Sequence, residues 1–170
     1  MKGNRFQGRS LRRQQGTETV EFAISATLLF LLLFGIIEFS VMLFDKATLT
    51  NASREGARTG ILFRPGERSL GSSSGGCPED GAKIITEDDA IRYAACRYAK
   101  DYLISLGGLA EMKIHINRYK GDYNLKAYIE PGDEVVVSIE YPYKYLLLPG
   151  FLDDIGGFLD ISAITNMRAE

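Results

Sequence analysis

From Phe22 to Phe44 the chain reads FAISATLLFLLLFGIIEFSVMLF, about 23 residues with a single formal charge, Glu38. At a helical rise of roughly 1.5 Å per residue, that run is long enough to cross a hydrocarbon core of about 30 Å. A secretory signal has a shorter apolar region of about 7–15 residues and a small-x-small cleavage site behind it. The sequence that follows here, FDKATLTNAS, has no such site. The pattern therefore predicts a membrane anchor, with its transmembrane part at about 22–44, rather than the buried helix of a soluble core. Nor does the helical pattern stop at Phe44. Small or apolar residues recur at Leu43, Ala47, Thr50, Ala57 and Ile61, and Arg64-Pro65-Gly66 supplies the stop. One helix over 17–62, roughly 69 Å long, is expected. Its second half should turn that stripe toward a covering domain, with Arg54, Glu55 and Arg58 pointing elsewhere.

Beyond it, residues 64–81 are rich in Gly, Ser and Pro and read as a loop. Thr86 followed by Glu87, Asp88 and Asp89 reads as an N-cap with acids in the first helical turn. That helix is expected to run to about Leu106, with Ile91, Ala94, Ala95, Tyr98 and Tyr102 on its apolar face and Gly107-Gly108 at its end. The remaining pattern has period two. MKIHINRY, EVVVSIEY and FLDISAITNMR each alternate apolar with polar residues, the signature of antiparallel strands with one covered face. The predicted class is α+β: a long N-terminal membrane-spanning helix, then a small domain over 63–170 with a second helix and about three antiparallel strands.

Charge adds direction. The first sixteen residues hold Lys2, Arg5, Arg9, Arg12 and Arg13 and no acid, about +5 in a chain whose formal net charge is −2. A basic segment ahead of an apolar run stays in the cytoplasm, which sends the chain from about Asp45 onward across the membrane. The rest of the sequence is acidic and lacks a basic stripe with interleaved aromatics, so nucleic acid is not an expected partner. Cys77 and Cys96, the two cysteines, then lie where disulfides form. Counting around the second helix puts Cys96 about 140° from Ile91, off the expected apolar face. Cys77 sits in the flexible loop within reach, so a Cys77–Cys96 bridge is expected.

Candidate chemistry is sparse. His115 is the only histidine and falls on the polar side of a strand, with no partners for a triad or a multi-histidine metal site. Glu87, Asp88 and Asp89 are better explained as first-turn acids than as a cation site, which needs further spaced ligands. No enzyme activity, metal or cofactor is expected. Glu38 lies toward the far side of the bilayer, where it either snorkels to the interface or marks a helix–helix contact. Leu146, Leu147, Leu148 and Phe151 fall between strands. They either fold onto the core or form an apolar surface for a partner or for lipid headgroups.

One carboxylate remains, Glu21, at the mouth of the apolar run and five residues after Gly16. A cut after Gly16 would place a new α-amino group on Thr17, one helical turn from Glu21, and the two charges could pair. Basic leader, Gly, then TETVEF resembles the type IV prepilin signal. The other leader glycines, Gly3 and Gly8, have Gly8 and Arg13 at the equivalent spacing, so only Gly16 fits. The stretches GTETVEFAI, LLLFGIIEFSVMLFDKATLTNASREGARTG and the closing AITNMRAE are similar to the TadE-like family of tight-adherence (Flp) pilus systems.

That resemblance implies a minor pseudopilin, with residues 1–16 as leader, Gly16 and Thr17 at the cut and Glu21 as an assembly charge. It implies a prepilin peptidase, other pilins or pseudopilins, the inner-membrane pilus assembly platform and the lipid bilayer as partners. The location implied is a single-pass inner-membrane protein with a cytoplasmic N-terminus and an extracytoplasmic C-terminal domain, with incorporation in a pilus left open. The role of Arg54, Glu55 and Arg58 does not follow from the resemblance. The alternative is an unprocessed, single-span tether for an extracytoplasmic binding module.

Overall fold

The structure is a computed structural model and describes residues 15–62, 71–79, 81, 83–104, 112–120, 124–125, 131–145 and 159–169. The expected leader before Gln15 and the Leu146, Leu147, Leu148 and Phe151 stretch lie outside the described residues. Two compact units meet in the sequence between Ile37 and Glu38.

The first unit holds the start of α1, an unbroken helix over Gln15–Ile61. Up to Ile37 its large apolar residues, Phe22, Leu28, Leu31 and Phe34 among them, are exposed in every direction around the axis. An all-round apolar helix with nothing packed on it belongs in lipid. By length and composition α1 can cross a membrane.

The second unit begins at Glu38 and is an α+β sandwich of helices on one sheet. Its elements after α1 are β1 (Ser74–Gly75), α2 (Glu87–Tyr102), β2 (Lys113–Lys120), β3 (Asn124–Leu125), β4 (Glu134–Tyr143) and β5 (Leu159–Arg168). All pairings are antiparallel, in the order β1-β2-β4-β5, with β3 also on β2. The three alternating runs of the sequence are the three long strands. Ile114 and Ile116, then Val135, Val137, Ile139 and Tyr141, then Ile161 and Ala163, form the covered face and are buried. The two-residue strands carry no periodicity and were not legible.

Contacts fix how the helices lie on this face. Lys46 Nζ donates to the Ser162 carbonyl, and the Ser53 and Thr165 hydroxyls share a hydrogen bond of 2.5 Å, so α1 runs alongside β5 in the same direction. A Cβ added at Gly56 would lie 3.3 Å from both the Ala95 Cβ and the Ile91 carbonyl oxygen. One at Gly60 would lie 2.9 Å from Ile91 Cδ1. At the other end of α2 the Ile104 amide donates to Asp45 Oδ1 at 2.9 Å. The two helices are therefore antiparallel and in close contact, which only very small side chains permit.

Two sequence expectations are corrected here. Of the stripe expected on the distal half of α1, Ala57 is buried and Thr50 and Ile61 are half-buried, but the other two members are not covered. Leu43 and Ala47 are exposed, and the buried row is Asp45, Thr48, Leu49, Ala52, Ser53, Gly56, Ala57 and Gly60. Smallness, not hydrophobicity, selected that face, because α2 needs room. On α2 the buried residues are Asp88, Ile91, Arg92, Ala95, Cys96 and Ala99, while Tyr102 is exposed. The face is rotated toward two charged residues that hydrophobic counting leaves out.

Candidate functional site

Three places hold candidate chemistry, and the first is the start of α1. Gly16, Thr17, Glu18 and Glu21 are all exposed on the helix. A Cβ added at Gly16 would meet nothing within 4 Å. Glycine inside a helix costs about 1 kcal/mol relative to alanine. Among the described residues nothing packs around position 16 to offset that cost.

A second place lies where the second unit begins. Glu38 is 4% exposed, and the Tyr143 hydroxyl donates to its Oε1 at 2.6 Å. The end of β4 in its own domain covers this carboxylate. The Tyr143 hydroxyl is pushed above its ordinary pKa, first by burial and then by the Glu38 carboxylate. Two turns on, Asp45 is fully buried; Oδ1 accepts from the Ile104 amide, and Oδ2 has no partner among the described residues. Burial raises its pKa above the usual aspartate value, and the Ile104 hydrogen bond only partly offsets this. Tyr143 and Tyr145 stand edge to face at 6.0 Å beside it. Sequence pattern alone could not have found this cluster, because its parts come from α1, the end of α2 and the end of β4.

Around the N-terminus of α2 the three consecutive acids separate into distinct structural roles. Thr86 and Asp89 form a reciprocal capping box, with the Asp89 amide donating to Thr86 Oγ1 at 3.1 Å and the Thr86 amide to Asp89 Oδ2 at 3.2 Å. Asp89 also accepts from Arg92 at 2.7 Å. Its pKa is lowered, by the Thr86 hydrogen bonds first and Arg92 next. Asp88 pairs with Arg118 on β2, both buried, and Glu87 lies 3.5 Å from the same guanidinium. Arg118 was missed although a signal existed: it shares the parity of Ile114 and Ile116, and an arginine on a covered face needs an acid. Among the described residues no group of three or more His, Cys, Asp or Glu is arranged to hold a metal. His115 sits half-exposed, 3.8 Å from Glu140.

The Cys77 and Cys96 sulfurs stand 2.18 Å apart, at disulfide distance. Cys96 is nevertheless buried in the core cluster, so the angular reason for expecting it off the packed face was wrong. The covered arc of α2 extends through Arg92 to Cys96. Arg54, Glu55 and Arg58 are exposed, while between them Gly56 faces α2 and Ala57 is buried.

Residues 16–58 match the family model described as TadE-like protein. This segment is TadE-like. The TadE-like segment starts at Gly16 and includes Glu21, Glu38, Asp45 and the small-residue face at Gly56 and Ala57, but neither α2 nor the sheet. The family associates the chain with the assembly of tight-adherence pili and with other pilus components. No curated protein and no solved structure matches the chain.

Proposed function

We propose that this chain is a minor pseudopilin of a tight-adherence pilus system, cut by a prepilin peptidase between Gly16 and Thr17. The observation that carries the reading is the glycine that opens the TadE-like segment. It stands directly before TETVEF on an exposed stretch where no described residue packs, so a peptidase accounts for it better than the described fold does. Hydrolysis of that amide bond frees the Thr17 ammonium four residues before Glu21. It also removes about +5 of charge that otherwise holds the N-terminus on the cytoplasmic face of the inner membrane. The helix can then exchange lipid contacts for contacts with other pilin helices. In that dry surrounding an uncompensated Glu21 is costly, and the Thr17 ammonium of its own or a neighbouring subunit is the natural partner. The extracytoplasmic domain adds bulk that a main filament subunit does not need, which favours a minor role beside the other pilins and the assembly platform. The chain itself performs no catalysis in this scheme.

N-terminal sequencing of the protein from cells with an intact prepilin peptidase tests it: the mature chain should begin at Thr17. Gly16→Ile should leave a full-length, membrane-retained protein, and Glu21→Gln a cleaved one that is poorly incorporated. If cells that assemble the pilus retain the residues before Thr17, the tethered binding module replaces this reading.

A further inference from the structure

The length of helix available to lipid does not match the length of the bilayer core. From Phe22 to Ile37 the bare apolar stretch is 16 residues, roughly 24 Å of rise, against a core of about 30 Å. A core of about 30 Å that begins at Phe22 therefore reaches beyond Glu38, into the part of α1 that the domain already covers on one side. That part is two-faced. Glu38, Asp45 and, partly, Met42 are covered by the domain, whereas Phe39, Leu43 and Phe44 are exposed. Peptide continuity alone sets the consequence: whatever angle the chain takes after Ile37, Glu38 is the next residue.

The end of the domain level with Glu38 is identifiable from its contacts. Tyr143 reaches Glu38 and pairs with Leu159 at the start of β5; Ile104, just past α2, bonds to Asp45. Ile104 and Leu159 are exposed apolar side chains at this end. Half-buried Tyr145 stands edge to face on Tyr143 at the same end of β4, and tyrosine with its apolar body and polar tip suits a membrane–water boundary. The opposite end of the sheet carries Asp133, Glu134 and Arg168 instead.

We infer that the end of the domain formed by Ile104, Tyr145 and Leu159 rests in the lipid headgroup layer, continuing the apolar surface of Phe39, Leu43 and Phe44. The domain is thus seated on the bilayer rather than held away from it on a stalk. This rests on the membrane-anchor part of the proposed function, not on the cleavage or the pilus.

The chain contains no tryptophan, so each introduced indole is a unique reporter. Four single variants of the full chain, Leu31→Trp, Ile104→Trp, Leu159→Trp and Ile164→Trp, are reconstituted alone in phosphatidylcholine–phosphatidylglycerol liposomes. Quenching is then read with lipids brominated near the headgroup or deep in the acyl chain. All four positions are exposed, and near-ultraviolet circular dichroism checks that each domain retains its packing. The expected result is deep quenching at 31, at least twofold loss of emission at 104 and 159 with shallow bromines, and none at 164. Equal, absent quenching at 104, 159 and 164 overturns the seating while the signal at 31 keeps the anchor. Quenching at 164 as strong as at 159 also overturns it, since another face would then lie on the lipid. No quenching at 31 overturns the anchor itself, and the seating with it.

Discussion

The two parts of α1, before and after Glu38, obey different packing rules within one hydrogen-bonded helix. Up to Ile37 large apolar residues surround the axis and stay exposed; past Glu38 the buried face is built from Asp, Thr, Ala, Ser and Gly with a single large apolar member, Leu49. Hydropathy thus marks the first part, and the second part is marked by side-chain volume. A helix in lipid gains nothing from a particular face, so any large apolar residue serves. A helix against α2 must let another backbone approach, so bulk is excluded where contact is closest. The lesson is that the most hydrophobic stretch of this chain contributes least to its folded core.

Deleting bulk on each side of the boundary gives the largest expected contrast. Leu49→Ala removes a fully buried side chain and should destabilise the domain by about 2–5 kcal/mol. Leu31→Ala, at an exposed position, should leave the domain's thermal transition unchanged. Both can be followed in detergent by the near-ultraviolet circular dichroism of the tyrosines, and equal shifts would erase the distinction.

Adding bulk gives the next contrast. Gly56→Leu would drive a side chain into Ala95 and the Ile91 carbonyl, costing about 1–3 kcal/mol, because backbone must move. Gly35→Leu meets open space, and its helix propensity is better than glycine's. The midpoint of the same transition should fall for the first and hold for the second.

The smallest effect is on pH dependence, and it sharpens how Asp45 differs from an ordinary surface acid. Burial raises its folded pKa, so the folded state holds the proton more tightly than the unfolded one. Its contribution to stability is then greatest below the ordinary aspartate value of about 3.9 and falls as pH rises through the raised value. Asp45→Asn should flatten that decline while keeping an acceptor for the Ile104 amide. Denaturant midpoints measured from acid to neutral pH would show it, and an unchanged slope would mean that Asp45 titrates normally.

Local pattern carried much of the architecture. Three alternating runs gave three long strands with the correct covered faces, Thr86 gave the start of α2, and the uninterrupted helical pattern gave α1 to within two residues of Gln15–Ile61. Period and capping depend on neighbours in sequence, and so they can be read from sequence. The same holds for Gly16, Thr17 and Glu21, whose proposed roles rest on spacing along one exposed helix. What tertiary structure alone decided was which face of each helix is buried and which polar groups that burial encloses. Glu38 became a partner of Tyr143, Asp88 of Arg118, and Cys96 a core residue, because each depends on a segment tens of residues away. Hydrophobicity is a property of one side chain, whereas the free energy of burying a charge depends on the group brought opposite it. The sequence names both members of each such pair, and only the fold brings them together.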